Sequence, residues 1–212
     1  MPMLDEKVMT EVKKALNAMR KPVTLRLYTQ AFECGYCKET HNLLSELVQA
    51  NPLLKLEAKQ FETDKEEAAQ DNIDKIPAIA VIGEKDYGIR FYGIPAGYEF
   101  SSLLNAILMV STGIVKLTDE TKAFVANLQT PLHLQVFVTP TCPYCPQAVI
   151  LAHQLAMASD QITADMVEIS EFPHLAQKYQ VQGVPRTVIN EKWSLDGAAP
   201  EAMLVAKAKE AL

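Results

Sequence analysis

The chain has 212 residues, of which 49% are hydrophobic and 22% charged, and its formal net charge is −6. That composition is globular and sufficient for one large or two small units, and its acidic balance argues against nucleic acid, which needs a basic face. No apolar run approaches the roughly 18 residues that span a bilayer, and the charged start MPMLDEKVMT lacks the apolar centre of a signal peptide. A soluble, cytoplasmic protein with no membrane partner is expected. In that compartment Cys-x-x-Cys pairs read as redox centres or metal ligands, because structural disulfides are rare there.

In chain order, residues 5–19 carry Val8, Val12, Leu16 and Met19 at helical spacing, and Pro22 stops the helix. VTLRLY then alternates as a strand. After Cys37, Leu43, Leu44, Leu47 and Val48 form a helical stripe that ends before Pro52. LLKLEAKQF reads as a strand, 64–71 as a short acidic helix, PAIAVIG and YGIRFYG as a hairpin, and EFSSLLNAILMV as a closing helix. The second half repeats the order. A helix over 118–128 takes Thr118 as N-cap, LHLQVFV is a strand, and 143–158 is a long apolar helix with Pro143 at its first position. ITADMVEIS is a strand, 172–179 a short helix, RTVIN and KWSL a hairpin, and 199–210 the last helix. Trp193 is expected to be core.

The repetition also holds in spacing at the chemically loaded positions. Cys34 and Cys142 are 108 residues apart, as are Cys37 and Cys145, and Pro77 and Pro185. The Ser-Thr-Gly break at 111–113 predicts a unit over 1–113 carrying CGYC and a unit over 114–212 carrying CPYC. Fold class is therefore read as α/β: two tandem units, each with a central mixed sheet flanked by helices.

Each cysteine pair falls where a strand leads into a helix. Unpaired N–H groups and the helix dipole there stabilise a thiolate, which lowers the thiol pKa and supplies a nucleophile. The second cysteine follows one turn later and closes a short ring. A shared zinc site is the bland alternative, but zinc pairs usually lie roughly 15 to 20 residues apart, and 104 residues separate Cys37 from Cys142.

With CPYC, CPQAV, KIPAIAV and YGIPAGYEF in place, the sequence resembles the protein disulfide oxidoreductases, two-unit glutaredoxin-like proteins of thermophilic archaea and bacteria. The resemblance covers essentially the whole chain. It is also similar to the tandem N-terminal region of alkyl hydroperoxide reductase flavoproteins, although that region keeps only one active pair. The resemblance implies thioredoxin/glutaredoxin-like folds with redox-active Cys34–Cys37 and Cys142–Cys145 disulfides. It makes Cys34 and Cys142 attacking groups and Cys37 and Cys145 resolving groups, with no cofactor or metal required. It further implies cis peptide bonds at Ile76-Pro77 and Val184-Pro185, where the backbone pairs with bound substrate.

Tyr36 and Tyr144 occupy matching positions and are read as contact surface beside the sulfurs. Glu57 and Glu168 are the candidates for a buried proton-accepting carboxylate, and a solvated strand end is the simpler reading of both. His41 is read as a partly covered helix residue near the first motif. Glu33 precedes Cys34 whereas Thr141 precedes Cys142, and Arg186 follows the second proline whereas Ala78 follows the first. A negative neighbour opposes thiolate formation and a positive one favours it. Cys142 is therefore predicted to be the more acidic thiol and its disulfide the stronger oxidant.

The expected activity is dithiol–disulfide exchange on protein substrates. One alternative is an electron carrier between a thioredoxin reductase-type flavoprotein and a peroxiredoxin. Another is a peptide-binding module that uses the groove without the sulfurs.

Overall fold

The computed structural model describes residues 2–212. The first half runs α1 (Glu6–Leu16), β1 (Val23–Thr29), α2 (Cys37–Leu47), β2 (Leu54–Gln60), α3 (Lys65–Gln70), β3 (Ala78–Ile82), β4 (Asp86–Tyr92) and α4 (Glu99–Thr112). The second runs α5 (Asp119–Ala126), β5 (Leu132–Val138), α6 (Cys145–Ala158), β6 (Ile162–Glu168), α7 (Pro173–Lys178), β7 (Arg186–Ile189), β8 (Trp193–Asp196) and α8 (Glu201–Glu210). Thr118 caps α5 by accepting from the Thr121 N–H at 3.2 Å. Gly113 ends α4 at φ +72° and donates to Met109 O, a left-handed cap that suits glycine.

All eight strands form one sheet in the order β2-β1-β3-β4-β6-β5-β7-β8. The halves join by parallel pairing of β4 with β6, Ile89 opposite Ala164 through Tyr92 opposite Val167. Only β3 and β7 run against the other strands.

The period-two alternation of the strands sorts their side chains between two unequal layers. Val23, Leu25, Leu27, Ile89, Phe91, Leu134, Val136, Ala164 and Met166 face a large core filled by α1, α2, α4, α5, α6 and α8. Tyr28, Tyr92, Phe137, Val167 and Val188 face a smaller core beneath α3 and α7. The polar members of this second face pair among themselves. Arg26 bonds Asp71 at 2.8 Å and Glu57 at 2.9 Å, Tyr28 OH donates to Asp71 at 2.7 Å, and His133 lies 2.6 Å from Asp165.

Some expectations need correction. Trp193 is half-buried on the edge strand β8 rather than central core, because a sheet edge has a neighbour on one side only. Val8 is exposed, and α1 stops at Leu16 rather than reaching Met19, whose N–H closes a tight turn onto Leu16 O before Pro22. Among the described residues no helix is long and apolar enough to cross a membrane.

Candidate active site

Strand direction brings the two cysteine motifs to one edge of the sheet. β1 and β5 are parallel, so the loops leaving their C-terminal ends, with Cys34 and Cys142, open on the same side. Four strand intervals lie between them, about 19 Å at about 4.8 Å per interval. β3 and β7 run oppositely, so the prolines before them return to that edge. Ala78 pairs with Tyr28 and Arg186 with Phe137, which sets Pro77 and Pro185 beside the ends of β1 and β5. Both Ile76-Pro77 and Val184-Pro185 are cis.

Within each motif the cysteines are disulfide-bonded, Cys34 to Cys37 and Cys142 to Cys145, with Cα atoms 5.5 Å apart. The second cysteine, not the first, begins the helix. Tyr36 and Tyr144 are the N-caps, and the first α-helical bond in the first unit runs from Thr40 N–H to Tyr36 O at 2.9 Å. Pro143 therefore lies in the turn ahead of α6 rather than at its first position. Pro146 takes the early position where a missing N–H costs nothing.

In the second motif the Cys145 N–H points at Cys142 Sγ, 3.1 Å away, and Cys142 Sγ lies 3.8 Å from Val184 O. Cys145 is fully buried, and Cys142 itself is nearly so, at 8% exposure. Cys37 is buried and Cys34 partly exposed, so the first site is the more open. Tyr36 and Tyr144 are exposed. Phe32, at 80% exposure, adds an apolar lip at the first site that periodicity gave no reason to single out. A cleft of about 500 Å³ beside Pro185 is lined by Gln180, Gln182, Val184, Arg186 and Asp196.

The proposed tuning charges stand differently from expectation. Arg186 bonds Asp196 at 2.6 Å and Ser194 Oγ at 2.9 Å across the β7–β8 hairpin, so its charge is compensated rather than offered free to the sulfur. Glu33 sits at φ +54° with an exposed side chain, where water weakens its field. His41 is exposed and turned toward Ser45.

The carboxylates also differ. Glu57 is neither free nor at a solvated strand end, because Arg26 and Lys59 pair with it. Glu168 is buried at 3% exposure and accepts from Ser170 N–H, Ser170 Oγ and Glu171 N–H, closing the loop after β6. Its neighbour Glu171 accepts from Ile94 N–H at 2.6 Å. Burial pushes the Glu171 carboxyl up to about 7, with the Ile94 bond opposing and Glu168 reinforcing.

Sequence reasoning missed Glu99. It opens α4 in the first half and is 1% exposed, and among the described residues neither of its carboxyl oxygens has a partner; Ser102 Oγ, one turn on, is also unpartnered there. Burial pushes its pKa up to about 7. The preceding residue, Tyr98, donates its N–H at 3.0 Å to Pro140 O, two residues ahead of Cys142, and α4 packs along α6. The start of α4 in the first half is thus tied to the redox loop of the second. Its only sequence signal was a charge heading an otherwise apolar helix. Among the described residues no cluster of three or more His, Cys, Asp or Glu side chains is arranged for a metal.

Comparison with known proteins agrees with this geometry. Residues 132–208 match the family described as thioredoxin domain. The crystal structure of a protein disulfide oxidoreductase from Aeropyrum pernix K1 is similar at TM-score 0.92 and 31% identity, covering 98% of this chain and 93% of that one. The NTD_N/C domain of the alkyl hydroperoxide reductase AhpF from Enterococcus faecalis shares the fold at TM-score 0.89 and 24% identity, covering 95% and 98%. The corresponding alkyl hydroperoxide reductase protein of Staphylococcus aureus is 29% identical over 155 residues, 72% of this chain but 28% of that protein. The chain thus spans well under half the length of that relative.

Proposed function

This chain belongs to the protein disulfide oxidoreductase family and is a thiol–disulfide oxidoreductase, and from that premise we propose how its two sites divide the work. Cys34 and Cys142 are the attacking thiolates. Each displaces one sulfur of a substrate disulfide, which leaves as a thiolate and takes up a proton, while a mixed disulfide forms. Cys37 or Cys145 then loses its proton and attacks the neighbouring cysteine sulfur, releasing the second substrate thiol. The substrate gains two electrons and the motif is left oxidised; the reverse sequence oxidises a substrate dithiol. Ile76-Pro77 and Val184-Pro185 offer backbone to an extended substrate segment, and Tyr36 and Tyr144 supply contact surface. No cofactor carries electrons in this scheme.

The observation that carries the division is the Cys145 N–H at 3.1 Å from Cys142 Sγ. A donor aimed at the attacking sulfur favours its thiolate. This supports Cys142 as the more acidic thiol and its disulfide as the stronger oxidant, even with Arg186 compensated. Glutaredoxin-type pairs lie at about −200 to −230 mV, against about −270 mV for thioredoxin. Thiolate absorbance of the Cys37→Ser/Cys145→Ser protein against pH tests the order, and a lower titration at Cys34 reverses it. Redox equilibration of each pair in glutathione buffers, read by alkylation, measures the potentials.

A second reading rests on the match to the Staphylococcus aureus reductase over 72% of the chain. In it the protein carries electrons from a thioredoxin reductase-type flavoprotein to a peroxiredoxin. NADPH oxidation in the presence of such a reductase distinguishes this role from exchange with protein dithiols alone.

A further inference from the structure

The loops that follow the last strand of each unit begin alike and end differently. Gly93 donates its N–H to Pro77 O at 2.9 Å, and Gly197 donates to Pro185 O at 2.8 Å, so the two are equivalent points of the repeat. From there the second unit reaches α8 over residues 197–200, whereas the first reaches α4 over residues 93–98. The longer loop is directed. Its start is held by Glu171, which accepts the Ile94 N–H at 2.6 Å. Its end is pressed onto the second redox loop. Gly97 adopts φ +59°, and a Cβ there would overlap Pro140 O, a closeness that only glycine permits. Tyr98 N–H then bonds that same carbonyl. The outcome is a 52%-exposed tyrosine on a backbone fastened at both ends, two residues from the motif that carries Cys142.

Sheet order makes this arrangement one-sided. β4 lies next to β6 and one strand from β5, so its outgoing loop can reach the Cys142 loop. β8 is the outer edge of the sheet, so its loop has no second redox motif beyond it among the described residues.

We propose that residues 93–98 of the first unit form a substrate-contacting lip of the second site, with Tyr98 as a specificity-determining residue that favours protein disulfides over small ones there. The proposal rests on the reading of Cys142–Cys145 as a redox site. Tyr98 and Tyr144, both exposed and on the second motif's rim, suit apolar and aromatic side chains flanking a substrate cystine. A small aliphatic disulfide is too short to reach both the sulfur and the lip. The first site, with Phe32 and Tyr36 from its own unit, gains no such lip.

Single-site proteins test this. Cys34→Ser/Cys37→Ser keeps the second site and Cys142→Ser/Cys145→Ser keeps the first; kcat/KM is measured for insulin and for 2-hydroxyethyl disulfide with dithiothreitol as reductant. Adding Tyr98→Ala should lower the insulin-to-small-disulfide ratio of the second-site protein by about fivefold to tenfold. The loss should fall mainly in KM, and Tyr98→Phe should restore most of it. The same substitution should leave the ratio of the first-site protein unchanged. An unchanged ratio at the second site, or an equal drop at both sites, overturns the proposal. If the second-site protein with Tyr98 intact reduces neither substrate, the redox reading of that site falls, and the lip with it.

Discussion

Replacing Glu99 by glutamine removes one buried titration while keeping the shape of the side chain. An ordinary glutamate releases its proton near pH 4.5, whereas burial holds the Glu99 proton to about pH 7. Between those values the native protein keeps a proton that the unfolded chain has lost. Stability from this group is therefore complete below pH 4.5, declines as pH rises through 7, and is flat above. A gap from 4.5 to about 7, at about 1.4 kcal/mol per pH unit, is about 3 kcal/mol. His153 works against it. Fully buried, without a hydrogen-bond partner among the described residues and edge-on to Phe91, its ring stays neutral down to about pH 4, so stability rises with pH from there to 6.5. Glu171 slopes the same way as Glu99. The wild-type curve alone is thus a sum of opposed slopes, and the informative quantity is the difference between the two proteins. Urea unfolding at pH 4 and pH 8 should show Glu99→Gln equal to wild type at the lower pH. At the higher pH the variant should be more stable by about 3 kcal/mol. Parallel curves with no pH-dependent difference would refute the burial argument.

Asp71→Asn should cost about 3 kcal/mol in urea unfolding, because it leaves Arg26 without its closest partner and weakens the Tyr28 bond in a buried setting; a loss below about 1 kcal/mol would mean that water already screens the group. Gly97→Ala should destabilise by about 1 to 3 kcal/mol, since the new Cβ meets Pro140 O and the backbone is left-handed. It should also lower insulin turnover at the second site more than at the first, because the part of the loop that it displaces rests on Pro140, two residues ahead of Cys142.

The two cysteine motifs, the prolines 43 residues after each first cysteine, and the helix and strand succession were legible because local period and spacing encode them. Leu25 and Leu27 against Arg26 and Tyr28 in β1 already show which face meets the larger core. Periodicity says that a face is covered, but not by which partner. Glu168 looked like a strand end in water because the turn that bends Ser170 and Glu171 back onto it is not a periodic signal. Arg186 looked like a free cation beside the sulfur until the β7–β8 hairpin paired it with Asp196. Above all, the parallel pairing of β4 with β6 joins segments about 75 residues apart, and with it the loop ahead of α4 in one half meets Pro140, two residues ahead of Cys142, in the other. Where the reactive sulfurs lie along the chain is local information, and the residue order carries it directly. Which segment of the other half lies beside them depends on long-range strand order, which no short stretch of residues contains.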